Sequence, residues 1–265
     1  MKASGAWWYA LMAVVGFSYL YMLGPIVIVV IESLNASDTM RFPPEQLSLR
    51  WFSALAANTD FLISFRISLI LAAVTAVVST IAGTLAAYAL VRHRRSRQAG
   101  TETLLLAPLY VPRVLLGMAL LLTLSKLNLA GSMAGMAVGH VLITLPFVIR
   151  AVTASLAGMD PSAEEAARSL GATWRQAFMR VTMPLMRSGI AAGAIFAFII
   201  SFSDVYLALF IAGPTTITLP LRLFNYMEWE QTPLVAAVST AQVALILAVM
   251  VVAEKTVGLS TAGRL

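Results

Sequence analysis

The amino-acid sequence predicts an all-α polytopic membrane protein with six transmembrane helices. Of its 265 residues, 60% are hydrophobic and only 11% are charged, and the mean hydropathy is +0.86. Soluble domains carry about 25% charged residues. The apolar residues fall in runs near the ~20 residues that a helix needs to cross the hydrocarbon core. Because no run alternates with a period of two, we expect a helical bundle and not a β-barrel.

Six apolar runs define the predicted spans, and no linker or low-complexity tract divides the chain into separate domains. The spans cover residues 7–31, 61–91, 102–124, 132–156, 189–212 and 233–253, within one membrane domain over 1–265. The first run exceeds the length of a signal-peptide core and has no Ala-x-Ala cleavage site, so we expect a true span. Trp7, Trp8 and Tyr9 at its start are typical of the membrane interface.

The distribution of Lys and Arg predicts the orientation of these spans. With the N-terminus in the cytoplasm, twelve of the eighteen cations lie inside: Lys2, Arg92, Arg94, Arg95, Arg97, Arg150, Arg168, Arg175, Arg180, Arg187, Lys255 and Arg264. Four lie in outer loops: Arg41, Arg50, Lys126 and Arg222. The cluster Arg92–Arg97 beside a span resists translocation, so both termini are expected in the cytoplasm. This use of the net charge of +6 makes a nucleic-acid partner unnecessary.

Several chemistries are excluded by residues that the sequence lacks. Cysteine is absent and histidine occurs only at His93 and His140, so we expect no disulfide, thiolate cluster or metal site. No lysine lies in a Gly-rich phosphate-binding loop, so this chain cannot hydrolyse nucleotides itself. A serine hydrolase that uses His140 as its base would require a Gly-x-Ser-x-Gly turn, which does not occur. A secondary transporter with helices broken by proline stays open as an alternative.

The inside loop over residues 160–184 has the most regular pattern in the chain. Asp160 and Pro161 suit the start of a short helix, and Gly171 suits a left-handed stop at its end. Thr173 and Gln176 have the spacing of a capping box for a second helix. We expect this second helix to end before Pro184, because proline disfavours helical geometry in the residue before it.

Each helix of this hairpin has one apolar face with helical spacing. The first face is small (Ala163, Ala166, Ala167 and Leu170) and the second is largely aromatic (Trp174, Ala177, Phe178 and Val181). A shallow alanine ridge suits a groove on another protein, whereas the aromatic face suits attachment to the membrane bundle. Periodicity alone leaves a second interpretation open, in which the whole hairpin packs on its own membrane domain.

The loop resembles the EAA signature of permease subunits of bacterial ABC importers. The resemblance lies in Glu165-Ala-Ala-x-x-x-Gly171-Ala172 followed by Phe178, Val181 and Pro184, with Met183 where the family prefers Leu. It implies a type I permease fold in the bacterial inner membrane. It also implies that the chain is no enzyme, binds no cofactor and is energised by a separate ATPase that holds ATP and Mg. The implied coupling residues are Glu164, Glu165, Ala166, Ala167, Leu170, Gly171 and Ala172.

The same resemblance implies several partner proteins. One six-helix chain forms half of a translocation pathway, so a second permease subunit is needed, and two different permeases are usual in polyamine-type systems. Two ATPase subunits bind below, and a soluble periplasmic protein delivers the substrate.

Ionisable groups deep in spans are expensive and are therefore candidates for the substrate pathway. Asp204, Arg113 and His140 meet this criterion, with Ser201, Ser203 and Tyr206 beside Asp204. Two interpretations of Asp204 remain at this point. It either lines the pathway and attracts a cationic substrate, or pairs with Arg113 and sets the helix register.

The segment from Ser201 to Pro214 resembles the second permease of spermidine/putrescine importers. Those relatives often have two adjacent carboxylates where this sequence has Ser203 and Asp204. The resemblance implies an amine substrate such as a polyamine. The alternative substrates are an amino acid derivative, an opine and an aminophosphonate. The later Glu228-Trp229-Glu230 is either a solvated turn or a contact with a partner protein.

Overall fold

A computed structural model describes residues 5–92, 98–160 and 162–257 of the chain. Within these residues the structure is helical without strands, apart from an isolated bridge between Asn35 and Leu47. The α-helices are α1 Gly5–Glu32, α2 Arg50–Ala57, α3 Thr59–Arg92, α4 Gln98–Leu106, α5 Arg113–Lys126, α6 Met133–Ala157, α7 Ser162–Ser169, α8 Trp174–Ala177, α9 Met183–Leu185, α10 Arg187–Ser203, α11 Tyr206–Ile211, α12 Leu219–Met227 and α13 Leu234–Val257. A 3₁₀ turn at Ala107–Leu109 follows α4, and a π-helical segment at Phe178–Thr182 joins α8 to α9.

Four of the described helices have the length and hydropathy of membrane spans: Trp7–Glu32, Thr59–Arg92, Met133–Ala157 and Leu234–Lys255. Two bent pairs raise the number to six if each pair counts as one span. The first pair joins Gly100–Leu109 to Arg113–Lys126 with a bend of 102°, and the second joins Trp174–Leu185 to Arg187–Ser203 with a bend of 71°. The protein is therefore an all-helical, multi-pass membrane protein.

Two of the predicted spans are not continuous helices. The run over 102–124 is interrupted between the 3₁₀ turn and Arg113, where Pro108 and Pro112 each lack an amide hydrogen for a helical bond. The run over 189–212 is interrupted at Asp204 and Val205, between α10 and α11. Hydropathy gives no sign of either break, because it averages over a window and does not register a local interruption.

Contacts divide the described residues into two compact units. The first combines 5–62 with Asn225–Leu245, and the second combines Ile63–Phe224 with 246–257. In the second unit α6 is the central helix, packed along its length on α10. Val148 of α6 contacts both Gly83 of α3 and Gly193 of α10 so closely that a Cβ atom at either glycine would lie 2.7 or 3.1 Å from it. Small residues thus allow three helices to meet at one valine.

In the first unit, α1 has an apolar surface that is exposed along most of its length. The segment after α1 folds back on itself around Asn35, whose side chain bonds the Glu32 carboxylate and the Arg41 carbonyl. Asn35 is only 1% exposed, so its side chain lies inside this folded loop. The short helix α2 begins with Arg50, whose guanidinium lies over the Trp51 ring.

Some residues in the sequence predictions lie outside the described part of the chain. These are Lys2, His93, Arg94, Arg95, Arg97, Pro161 and Arg264. The cytoplasmic orientation that rests on the Arg92–Arg97 cluster therefore stays a prediction.

Candidate functional site

The hairpin over 160–184 forms from the local signals that the sequence carries. Asp160 accepts a hydrogen bond from the Ser162 amide at 2.9 Å, which satisfies one free donor at the start of α7. Gly171 ends α7 with φ +91°, a left-handed conformation that favours glycine. Thr173 and Gln176 form the reciprocal bonds of a capping box at the start of α8. These three predictions are confirmed.

The end of the hairpin differs from the prediction. The helix does not stop before Pro184, because Met183 keeps helical dihedrals and the chain stays helical to Leu185. The π-helical segment Phe178–Thr182 explains the difference. Its wider turn ends immediately before α9, so Pro184 lies in the first turn of a new helical segment, where its missing amide hydrogen costs little. The bend to α10 occurs at Met186 instead.

Glu164 is the one member of the predicted coupling set that faces the chain's own helices. It is 8% exposed, and its carboxylate accepts hydrogen bonds from the Tyr88 hydroxyl at 2.7 Å and from the Thr182 hydroxyl at 2.8 Å. Arg92 at the end of α3 adds an ion pair at 3.1 Å. A buried carboxylate is stable only when it is paired and hydrogen-bonded, and the two oxygens of Glu164 meet that condition.

Aromatic rings surround this carboxylate. The Tyr88 ring meets the edge of Phe178 at a centroid distance of 4.8 Å, and Phe178 stacks on Trp174 at 5.8 Å. The Trp174 indole donates a hydrogen bond to the Tyr88 hydroxyl at 3.2 Å. The aromatic face of the second hairpin helix therefore packs on α3, as its composition predicts.

The pKa of the Glu164 carboxyl is lowered overall. Burial works to raise this pKa, but the hydrogen bonds from Tyr88 and Thr182 and the charges of Arg92 and Arg168 outweigh it. Glu164 is therefore ionised at neutral pH, and its stabilising charge is lost only as the pH falls below the ordinary carboxyl range.

The opposite side of α7 is open to solvent. Leu170 is 89% exposed, and Glu165, Ala166 and Gly171 are also exposed. Ala167 and Ala172 are half-buried. An open groove of about 400 Å³ lies between the two hairpin helices, lined by residues that include Ala167, Leu170, Gly171, Ala172, Gln176 and Arg180. The hairpin thus presents a shallow apolar surface while Glu164 holds its other side.

A second cluster forms where α10 and α11 are interrupted. The Asp204 carboxylate has a fully buried side chain and forms an ion pair with Arg113 at 2.8 Å. Its other oxygen accepts bonds from the Leu207 and Ala208 amides at 2.8 and 3.4 Å, so it also caps α11. Of the two interpretations of Asp204, the structure contains the pair with Arg113. A role of Asp204 in the substrate pathway stays a prediction.

The other predicted pathway residues lie in two different environments. His140 and Ser201 are buried, and a hydrogen bond of 2.9 Å joins the ring Nδ1 and the hydroxyl oxygen. Ser203 and Tyr206 are exposed on either side of Asp204, and Ser203 bonds its own helix at the Ile199 carbonyl. Only the second pair lies on a surface that a substrate or a partner helix can reach.

Two features of these clusters were missed by sequence analysis. The helix break at Asp204 had a signal, because a Ser-Asp pair before an apolar run is a helix N-cap pattern. The burial of Glu164 had no local signal, because its partner Tyr88 is 76 residues away.

A match to a protein family decides what kind of molecule carries these two clusters. The family described as "Binding-protein-dependent transport system inner membrane component" matches residues 79–255, a range that includes both clusters. The chain belongs to this family. Its members are permease components of ABC importers and not enzymes, in agreement with the resemblance of the hairpin to the EAA signature.

Curated relatives cover most of this permease. The putrescine transport system permease protein PotI of Escherichia coli (strain K12) is 31% identical over 240 residues, which cover 88% of this chain and 84% of the relative. The spermidine/putrescine transport system permease protein PotC of the same strain is 30% identical over 241 residues, which cover 90% and 89%. The resemblance to polyamine permeases therefore extends beyond the motifs that first indicated it.

A solved structure has the same fold as this permease. A chain from the crystal structure of a bacterial ABC transporter involved in the import of the acidic polysaccharide alginate superposes with a TM-score of 0.75. The two are 17% identical, and the match covers 96% of this chain and 98% of the other. At this identity the likeness concerns the fold alone.

Proposed function

We propose that this permease forms half of the translocation pathway of an ATP-driven importer and that its substrate is a polyamine such as putrescine or spermidine. The observation that carries the proposal is the hairpin over 160–184. Its capped helix α7 presents Leu170 at 89% exposure, beside the exposed Glu165, Ala166 and Gly171. Leu170 also lines the open groove between the two hairpin helices, and an exposed apolar patch outside the spans marks a surface that docks into another protein.

The docking partner in this proposal is a separate ATPase subunit, which binds ATP and Mg. The docking residues are Glu165, Ala166, Ala167, Leu170, Gly171 and Ala172, whereas Glu164 serves the chain itself. Two such ATPases, a second and different permease, and a periplasmic binding protein complete the complex. The permease is then a bacterial inner-membrane protein with six spans, each bent pair counting as one, and with both termini in the cytoplasm.

The proposal of a polyamine substrate rests mainly on the relatives and only to a smaller extent on Asp204. Arg113 already neutralises the Asp204 carboxylate, so an amine would have to displace a guanidinium to reach it. PotI and PotC, by contrast, match this chain over about nine-tenths of its length. An amino acid derivative, an opine or an aminophosphonate is the alternative cargo.

Uptake by reconstituted vesicles tests both parts of the proposal. The chain, its partner permease, the ATPase and the binding protein are placed in proteoliposomes with radiolabelled putrescine. We expect accumulation that needs hydrolysable ATP and stops when the ATPase is omitted. Accumulation driven by an ion gradient without ATP would identify a secondary transporter instead. If the binding protein stimulates ATP hydrolysis but neither putrescine nor spermidine is taken up, only the polyamine part of the proposal is rejected.

A further inference from the structure

The two adjacent glutamates of the hairpin lie in different environments. Successive residues of an α-helix point about 100° apart, so two neighbouring side chains can lie in different environments. Glu164 is buried against α3 and the π-helical segment, and Glu165 is exposed on the proposed docking side. One carboxylate is therefore available to a partner, and the other is committed to the chain itself.

Glu164 connects three separate parts of the fold. Its Oε1 accepts from Tyr88 in the last turns of α3, and its Oε2 accepts from Thr182 at the end of the π-helical segment. Arg92, the last residue of α3, pairs with the same Oε2 atom. A single side chain on α7 thus contacts both a span and the segment that leads to α10.

The backbone connection between α7 and α8 is a short turn, closed by hydrogen bonds from the Gly171 amide to the Arg168 carbonyl at 3.0 Å and from the Ala172 amide to the Ala167 carbonyl at 3.1 Å. Gly171 has φ +91°, and no described atom lies within 4 Å of the position where its Cβ would be. A glycine in open space has the widest choice of backbone conformations. Among the described hydrogen bonds and ion pairs, those of Glu164 join α7 to α3, so a displacement of α7 reaches α3 through this side chain.

The π-helical segment is placed to receive such a displacement. Its first residue, Phe178, packs on the Tyr88 ring, and its last residue, Thr182, bonds Glu164. The segment continues through α9 into the 71° bend before α10. Single π-turns inside helices are frequent at functional sites.

We propose that Glu164, held by Tyr88, Arg92 and Thr182, is the positioning residue that transmits movement of α7 to α3 and, through the π-helical segment, to α10. We name these four residues the Glu164 clamp. This inference rests on the proposed function, because α7 moves only if an ATPase docks on it. In the clamp, Glu164 acts within the permease, and the residues from Glu165 to Ala172 make the contact with the ATPase.

The test compares substituted complexes in the reconstituted system. Glu164→Gln keeps the size of the side chain but loses its charge, so the ion pair with Arg92 is lost and the bond from Tyr88 is weakened. We expect the ATPase to stay bound and to hydrolyse ATP, while the putrescine transported per ATP falls about three- to thirtyfold. Tyr88→Phe, which removes two hydrogen bonds and keeps the ring, is expected to lower the ratio less.

Thr84→Val is the matched control. Thr84 is 6% exposed on α3, one turn before Tyr88, and its hydroxyl has no hydrogen-bond partner among the described residues. We expect the wild-type ratio for this variant. A merely structural role of Glu164 would lower thermal stability and ATP hydrolysis together. The clamp predicts instead a fall in the putrescine transported per ATP hydrolysed.

A second readout does not depend on the substrate. We expect nucleotide binding by the ATPase to change amide hydrogen exchange both in α7 and in Phe178–Thr182 of the wild-type complex. In Glu164→Gln the change should be confined to α7. This measurement tests the clamp even if putrescine is not the cargo, so failure of the polyamine proposal and failure of the clamp are distinguishable.

Two results would overturn the inference. One is a Glu164→Gln complex with normal transport per ATP and normal exchange in Phe178–Thr182. The other is loss of the ATPase from that complex, which would place Glu164 in the docking surface. If Glu164→Gln does not fold, Tyr88→Phe and Thr182→Val each remove bonds of the clamp, and wild-type ratios in both would overturn it equally.

Discussion

A single buried carboxylate organises each of the two polar clusters, although the two carboxylates do different work. Asp204 caps a helix that starts inside an apolar region and takes its counter-charge from Arg113. Glu164 has no free amide to cap and instead joins two elements through side chains. In both cases the cost of removing a charge from water is offset by several donors, so the loss of one partner leaves the other stranded.

Replacement of Asp204 by Asn should destabilise the protein by about 1–3 kcal/mol. Breaking a buried pair costs about 3–5 kcal/mol, but Arg113 has a side-chain exposure of 38%, so solvent reduces the loss. The amide still accepts from the Leu207 and Ala208 amides, so the effect reports mainly on the charge. Thermal unfolding of the purified permease measures it, and Asp204→Asn combined with Arg113→Gln should recover part of the stability.

Arg66→Gln is the control for this pair, because Arg66 is an exposed arginine of α3 and should give wild-type stability. The alternative interpretation has a different signature. If Asp204→Asn unfolds at the wild-type temperature and lowers putrescine uptake, Asp204 serves the pathway and not the pair.

A valine at position 171 should disturb the hairpin and leave the membrane bundle intact. The cost is conformational, about 1–2 kcal/mol for a branched side chain at a left-handed φ, because the space around Gly171 is open. We expect Gly171→Val to lower ATP-driven uptake at unchanged global unfolding temperature. Gly158→Ala is the matched control, since Gly158 has an ordinary φ of −84°. Normal coupling in Gly171→Val would show that the angle set by this glycine does not matter.

At the scale of the element, interrupted helices give the permease most of its special geometry. The breaks before Arg113 and after Ser203 place the two ends of an ion pair at helix termini. The π-helical segment and the bend at Met186 redirect the chain from the hairpin into α10. The hairpin itself has one face packed on α3 and one face open, so substitutions on the two faces should have opposite consequences.

Leu170→Asp and Phe178→Ala separate these two faces. Leu170 is 89% exposed, so its replacement should leave stability unchanged but release the ATPase from the membrane complex during purification. Phe178 is 8% exposed between two rings, so its truncation should destabilise the packing of the hairpin by about 3–5 kcal/mol. Retention of the ATPase by Leu170→Asp would remove this residue from the docking surface.

At the scale of the whole molecule, the distribution of cations predicts how the chain lies in the membrane. The absence of cysteine allows a direct measurement with single introduced cysteines and a membrane-impermeant thiol reagent. In intact spheroplasts we expect labelling of Ala54→Cys and Gln231→Cys, both at exposed positions, and none of Ser96→Cys. Permeabilisation should expose Ser96→Cys. Labelling of Ser96→Cys in intact spheroplasts would contradict the predicted orientation.

The sequence by itself determined the features that depend on neighbouring residues. Hydropathy identified where apolar helices lie, and Asp160, Gly171, Thr173 and Gln176 each produced the local geometry that their side chains or backbone favour. Such signals act over a few residues, so they survive whatever the rest of the chain does. The spacing of the EAA motif belongs to the same class of local signal, and the family that it indicated is confirmed by the family match.

Only the tertiary structure decided which distant groups meet. Asp204 and Arg113 are 91 residues apart, and Glu164 and Tyr88 are 76 apart, so neither pairing has a local pattern. The helix breaks carry local signals in Pro112 and Asp204, but a break is stable in an apolar region only when another helix supplies a charge or a donor for the freed groups. Packing brought Arg113 to Asp204 and α3 to Glu164, and for that physical reason the two clusters become visible only in the folded chain.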